Sequence, residues 1–222
     1  MKFDLVYETE KFVAVNKPAG VLSQKDKSGE DDLAALLSNE WKREGRRVDF
    51  LAPVHRLDRN VSGLILLAKS SAGAKELSTW LVEGKVNRTY LAIAKGDPGE
   101  SGTFEFRLKK DSATNQVRVA NDGEEAVTQF TRLQKLGNSS LMKVRLLTGR
   151  SHQIRVHFSH AGHALIGDKK YAKKPWSEIF HRPALHATEL EMPGENGKVL
   201  QLRAATPKDF SDLLAKLGGK PL

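Results

Sequence analysis

Tyr90-Leu91-Ala92-Ile93-Ala94, Phe104-Glu105-Phe106, Val117-Arg118-Val119, Ala126 to Leu133 and Leu141 to Leu147 follow one another between Tyr90 and Leu147. Each has the length and the β-branched or aromatic content of a strand, and Gly99, Gly102, Gly123 and Gly137 punctuate them at hairpin spacing. Successive hairpin-spaced strands predict antiparallel pairing. Outward toward the N-terminus, residues 64–68 read as another strand and residues 72–83 as a helix ending at Gly84. Residues 31–44 carry Leu33, Leu36, Leu37 and Trp41 at helical spacing, a core-facing stripe closed by Gly45. Residues 3–7 and 12–15 read as a short hairpin, broken by Asn16-Lys17-Pro18-Ala19-Gly20. Outward toward the C-terminus, Ser151 to Ala161 has helical character, with Ile154 and Phe158 four apart. Val199 to Arg203 reads as a strand, and Pro207 fits the first turn of a terminal helix with Thr206 as its N-cap. Helices scattered among hairpin-spaced strands place the chain in the α+β class, with a mixed, mostly antiparallel central sheet flanked by helices and loops.

At 222 residues the chain can bury a good core, and a single domain over residues 1–222 is the expectation. No internal repeat or low-complexity tract interrupts it. It has no cysteine, which removes disulfides and thiolate metal ligands. No leader and no membrane-length apolar run is present, so a cytoplasmic location is expected. Lys and Arg number 36 against 27 Asp and Glu, a net charge of +9, which favours a polyanionic partner, nucleic acid above all. The basic residues cluster: Lys42, Arg43, Arg46 and Arg47 form one group, and Lys169, Lys170, Lys173 and Lys174 around Tyr171 form another. Each group alone is equally well read as a solvated face.

The stretch with most chemistry is His55-Arg56-Leu57-Asp58-Arg59-Asn60-Val61-Ser62-Gly63, leading into the apolar run Leu64 to Leu67 and then Ala68-Lys69. It sets a carboxylate between two arginines at the entry to a core strand, where a side chain can be held accurately. In isolation Asp58 could equally be a cap or a surface ion-pair partner. His152, His157, His160 and His163 crowd together, but no H-E-x-x-H pattern or cysteine accompanies them, and no metal is expected. Thr148-Gly149-Arg150-Ser151 is half of a phosphate loop without the rest of the pattern. A helix starting near Ser151 could still offer N–H groups to a backbone phosphate. There is no nucleophile elbow of a serine hydrolase.

The order of motifs resembles the RluA-type family of RNA pseudouridine synthases. Asn16-Lys17-Pro18-Ala19-Gly20 is similar to its N-K-P-x-G motif, and His55-Arg56-Leu57-Asp58 with Ser62-Gly63 and Leu64 to Lys69 to its H-R-L-D signature. Tyr90-Leu91-Ala92 is similar to its tyrosine strand, Thr148-Gly149-Arg150-Ser151-His152-Gln153-Ile154-Arg155 to its T-G-R-x-H-Q-I-R block, and Gly167-Asp168 with Tyr171 and Leu185-His186-Ala187 to its last two blocks. The resemblance runs from about residue 5 to residue 215, in family order. Val61 stands where many relatives carry Thr, and there is no room for the N-terminal S4 domain that many relatives carry.

The resemblance implies the pseudouridine synthase fold and isomerisation of uridine to pseudouridine in structured rRNA or tRNA, a stem-loop, with base flipping and without cofactor, metal or membrane. Its implied catalytic residues are Asp58 as the essential carboxylate, Tyr90 stacking on the uracil and a candidate for proton transfer at C5, and Arg155 holding the carboxylate ionised and aimed. Its implied substrate and RNA contacts are Arg56, His55, Lys17, Arg150, Ile154 and Leu67. Arg56 either fills the gap left by the flipped base or only neutralises Asp58. Lys17 either meets phosphate or shapes its turn, and Ile154 and Leu67 either wall the uracil pocket or pack beneath it. A monomer is expected. Two competing readings are a non-catalytic RNA-binding protein of the same fold and a metal-dependent hydrolase built on the histidines.

Overall fold

The structure is a computed structural model that describes residues 2–194 and 198–222. Along the chain run β1 (Asp4–Glu8), β2 (Phe12–Lys17), α1 (Leu33–Arg43), β3 (Ala52–Pro53), β4 (Ser62–Ala68), α2 (Ser71–Val82), β5 (Asn87–Lys95) and β6 (Ser101–Asp111). They are followed by β7 (Gln116–Val119), β8 (Glu124–Leu136), β9 (Ser139–Leu146), α3 (Gln153–His160), β10 (Leu185–Pro193), β11 (Val199–Arg203) and α4 (Lys208–Lys216). The chain is α+β, and its contacts group into two compact units: Met1–Asn87 with Ala187–Ala205, and Arg88–His186 with Thr206–Leu222.

In the first unit the strand order is β1-β2-β4-β10, with β3 beside β4 and β11 beside β10. The pairs β1/β2, β2/β4, β3/β4 and β10/β11 are antiparallel. β4 is buried at every position because helices cover both its faces. Ile65 and Leu67 point into a cluster with Leu33, Leu37 and Trp41 of α1. Leu64, Leu66 and Ala68 point into another with Leu77 of α2. The apolar stripe of α1 is therefore core, as its spacing predicts. Asp32 caps the helix by accepting the Ala35 amide at 2.9 Å. Gly45 closes it in a Schellman turn, with Gly45 N–H donating to Lys42 C=O at 3.1 Å and Arg46 N–H to Trp41 C=O at 2.9 Å.

In the second unit the order is β5-β9-β8-β6-β7, each assigned pair antiparallel. One face packs Leu91, Ile93 and Leu141 against Phe210, Leu213 and Leu214 of α4. The other brings Phe104 and Phe130 onto Phe158 of α3, with ring centroids 5.2 and 5.7 Å away. Two local expectations are corrected. Pro207, not Thr206, is the N-cap of α4, because its carbonyl already accepts the Phe210 and Ser211 amides at 3.0 and 3.1 Å. β10 was not anticipated as a strand: Glu189, Glu191 and Pro193 break its apolar pattern, yet Leu190 and Met192 are core.

Candidate active site

In the first unit Asp58 lies on the loop entering β4, half-buried, with its neighbours fixed on both sides. Leu57 is buried, and its amide and carbonyl are both held by the buried Ser23: N–H to Oγ at 3.0 Å and Oγ–H to C=O at 2.8 Å. On the far side, Arg59 C=O accepts Gly20 N–H at 2.8 Å and Lys17 Nζ at 3.1 Å. The turn closes through Val61 N–H to Asp58 C=O at 2.9 Å, so Val61, itself buried, keeps the backbone bond that shapes the loop. His55 Nε2 accepts the Leu66 amide at 3.1 Å, which ties the start of the motif to β4 and sets the imidazole as the Nδ1–H tautomer. At the strand entry Gly63 has φ +119°, and a Cβ there would lie 2.2 Å from Ala187 C=O. The Ser-Gly break and Ala187 are thus two sides of one close approach.

Lys17 is fully buried, and its ammonium donates to the carbonyls of Pro18, Val21 and Arg59 at 3.0, 2.8 and 3.1 Å. This corrects the phosphate-contact expectation: the charge is used to gather three carbonyls around the Asp58 loop. Leu67, fully buried against α1, is likewise core rather than an open pocket wall. Arg59 forks onto Glu30 at 2.8 and 2.6 Å and donates Nε to Gly20 C=O at 3.0 Å. Arg56 is exposed.

In the second unit Tyr90 sits on β5 opposite Val144, buried, with 5% of its surface exposed. Arg155, on α3, sends Nε and Nη2 to the two oxygens of Asp168, both at 2.8 Å, a side-on fork on a carboxylate with no exposed surface. Asp168 Oδ1 also accepts the Lys170 and Tyr171 amides at 3.0 and 3.3 Å. The guanidinium lies over the Tyr171 ring, 5.0 Å from its centroid. The Tyr171 phenol oxygen accepts Val117 N–H at 3.0 Å and stands 2.7 Å from His152 Nδ1, an arrangement satisfied when the phenol donates to the imidazole. Gly167, φ +76°, precedes this turn, and a Cβ there would lie 2.1 Å from Arg182 C=O.

The Thr148–His152 turn is organised by Gln153, which sequence reading passed over. Its Oε1 accepts Thr148 Oγ–H at 2.8 Å and Arg150 N–H at 2.9 Å, and its Nε2 donates to Val127 C=O at 3.0 Å and Thr128 Oγ at 2.9 Å. All four bonding capacities of the amide are used. His152 takes the left-handed conformation at the start of α3. Arg150 is part-exposed, donating Nε to Glu125 C=O at 3.1 Å and pairing with Glu124, while Ile154 is buried. His157 is fully enclosed, edge-on to Phe104 and Phe106, with neither ring nitrogen hydrogen-bonded. Burial, reinforced by His160, pushes its pKa down to about 4. Among the described residues no group of three or more His, Asp or Glu side chains is arranged to hold a metal ion.

A family model described as RNA pseudouridylate synthase matches residues 11–160. The chain belongs to that family. The RNA pseudouridylate synthases are isomerases, so this chain is an enzyme acting on RNA. It is 34% identical to a ribosomal large subunit pseudouridine synthase D of Zymomonas mobilis, covering 96% of this chain and 72% of the relative. It is 31% identical to a tRNA pseudouridine synthase C of Vibrio parahaemolyticus, covering 86% and 84%. The solved structure of human RNA pseudouridylate synthase domain containing 4 superposes with a TM-score of 0.80 over 96% of this chain and 92% of that one, at 22% identity, so the synthase fold is shared. No helix among the described residues is long and apolar enough to cross a membrane.

Proposed function

We propose that the chain isomerises specific uridines in structured rRNA or tRNA through the Asp58 carboxylate, its two units forming one catalytic domain that works as a cytoplasmic monomer without metal or cofactor. The N1–C1′ bond breaks, the uracil turns, C5 bonds to C1′, the C5 proton leaves and N1 regains one. The target must leave its stack to be reached, at a cost of a few kcal/mol that protein contacts offset. Tyr90 stacks on the uracil and is placed to serve the proton at C5. Arg155 supplies positive charge to the carboxylate chemistry, with its Asp168 fork fixing the guanidinium plane. Arg56, exposed, fills the gap left by the flipped base. His55 shapes the Asp58 loop against β4, Ile154 packs beneath the uracil, and Arg150 exchanges its surface pair with Glu124 for an RNA phosphate.

The observation that carries this reading is the Asp58 loop: an acid of the family motif whose flanking residues are pinned on both sides by Ser23, Lys17 and Gly20 while the carboxylate itself stays half-exposed. Relatives named for the large ribosomal subunit and for tRNA stand at similar identity, so both RNA classes belong in the test. Tritium release from RNA labelled at uracil C5 is expected with wild type and absent with Asp58→Asn, on either total tRNA or rRNA. Equal release by the two proteins would overturn the role of Asp58. Absence of release from either pool, with RNA binding intact, would overturn catalysis in favour of an RNA-binding role.

A further inference from the structure

Basic residues that lie far apart in sequence meet at one end of the second unit. β6 and β7 form a hairpin whose tip, Asp111 to Gln116, is exposed throughout. The register sets Lys109 directly opposite Arg118 and Lys110 opposite Val117. The 169–174 segment docks on this hairpin: Lys170 Nζ donates to Asn115 C=O at 2.6 Å, and the Tyr171 phenol accepts Val117 N–H at 3.0 Å. The Tyr171 ring packs with Leu108, Val117 and Val156. Lys109, Lys110 and Arg118 therefore share one end of the unit with the run that contains Lys169, Lys170, Lys173 and Lys174.

The acids nearby do not cancel this charge. Asp111 spends its oxygens on its own turn, accepting from Ala113 N–H and Thr114 Oγ at 2.9 and 2.8 Å. Asp122 pairs with Lys109, and Glu178 with Lys174 at 2.6 Å. Among the described residues Lys110, Lys169 and Lys173 are in no salt bridge, and Arg118 meets Asp111 and Asp122 only through longer-range attraction. Like charges directly across a strand pair oppose folding, and at Lys109 and Arg118 this is offset by Asp122, which pairs with Lys109 and attracts Arg118. The other basic run behaves differently: Arg46 lies 3.8 Å from the Trp41 ring centroid and pairs with Glu8, Arg47 pairs with Asp49 at 2.8 Å, and Arg43 donates to Asn39 C=O at 3.1 Å. That run is largely engaged in holding the turn after α1.

We propose that the β6–β7 hairpin and the 169–174 segment form a cationic arm that grips the phosphate backbone of the RNA stem flanking the target uridine. The inference rests on the reading that the chain acts on structured RNA. Backbone phosphates are the partner because the strands flanking the tip carry the flexible cations Lys109, Lys110 and Arg118, and the tip itself, Asp111 to Gln116, has no aromatic side chain to read bases. Tyr171 links the arm to α3 through His152 Nδ1 at 2.7 Å and through the Arg155 guanidinium over its ring, so a stem held by the arm is placed relative to that helix.

The test compares wild type with the combined variant Lys110→Ala, Arg118→Ala, Lys169→Ala, Lys173→Ala, using a short blunt RNA duplex as the binding probe over a series of salt concentrations. Each lost phosphate contact flattens the slope of log affinity against log salt by about 0.7–0.9, so the variant is expected to lose about 3 units of slope and more than about tenfold in affinity at low salt. Its tritium release at limiting RNA falls with the affinity. The charge-keeping set Lys110→Arg, Arg118→Lys, Lys169→Arg, Lys173→Arg restores the slope, and Lys42→Ala with Arg47→Ala leaves it unchanged. An unchanged slope in the combined variant, or equal flattening by the Lys42/Arg47 pair, would overturn the arm. A flattened slope alongside a wild type that releases no tritium would retain the arm and overturn the catalytic reading.

Discussion

Asp58 and Asp168 are both carboxylates of family motifs, yet they differ in how far the chain encloses them. Asp168 has no exposed surface, and its oxygens take the Arg155 fork and two backbone amides. Asp58 is half-exposed, and its loop is ordered by bonds to its neighbours: Ser23 on Leu57, Lys17 and Gly20 on Arg59, and Leu66 on His55. A reacting acid has to keep surface open to its substrate, whereas a structural acid can be enclosed entirely. The largest effect expected from this contrast is on turnover: Asp58→Asn lowers tritium release by about 10³-fold or more while urea unfolding shifts by less than about 0.5 kcal/mol. A stability loss comparable to that of a core residue would break the comparison at its first term.

Asp168→Ala tests the second term. Removing one partner of a buried pair leaves the Arg155 charge without this carboxylate in a site where only a tenth of its side chain is exposed, which costs about 3–5 kcal/mol. Thermal unfolding should show this directly, and activity should fall only as far as the folded fraction and the Arg155 orientation fall. A variant as stable as wild type would mean that the fork is not structural. The two aspartates were equally visible in the sequence, one in His55-Arg56-Leu57-Asp58 and one in Gly167-Asp168, but only the first received a role. The sequence expectation gave Arg155 to Asp58; within the second unit the structure adds a fork from its Nε and Nη2 to Asp168. A motif names the residues that recur together and does not give every partner of each.

Much of the fold was legible for a simple reason: β4, α1 and the strands between Tyr90 and Leu147 announce themselves by apolar runs or periods that match how many of their faces are covered. β10 was illegible because Glu189 is satisfied by Arg203 and Gln201 of the adjacent strand, at 3.0 and 2.6 Å, so its polarity costs nothing in place and hides the strand on paper. Ser23 and Gln153 were illegible for the same reason: a buried polar side chain is understood only once its backbone partners are known. Lys17 is the reverse case, a residue type usually found in water. Lys17→Met sharpens the comparison from the side of the supports. It keeps the stem but leaves the Pro18, Val21 and Arg59 carbonyls without their shared donor, and should cost about 2–4 kcal/mol. Because the donor steadies the Asp58 loop rather than touching RNA, turnover at saturating RNA should drop while duplex affinity stays at the wild-type value. A loss confined to affinity would return Lys17 to the phosphate-binding role.

The smallest effect separates two ways of burying a base on one helix. Arg155 keeps its charge in the fold because Asp168 meets it; two residues later His157, enclosed by Phe104 and Phe106 with neither nitrogen bonded, is held neutral, its pKa lowered to about 4 by burial from an ordinary 6.5. The unfolded chain therefore takes up this proton before the folded one does. Stability from the neutral ring is complete above pH 6.5 and is lost as pH falls toward 4, by about 1–3 kcal/mol. His157→Phe removes the titration, matches the aromatic surroundings and eliminates two unbonded nitrogens. Urea midpoints measured between pH 7 and 5, above the range where most carboxylates titrate, should decline for wild type and stay flatter for His157→Phe. Parallel declines would show that the imidazole acquires its proton without disturbing the fold, and the contrast between a paired and an unpaired buried base on α3 would fail.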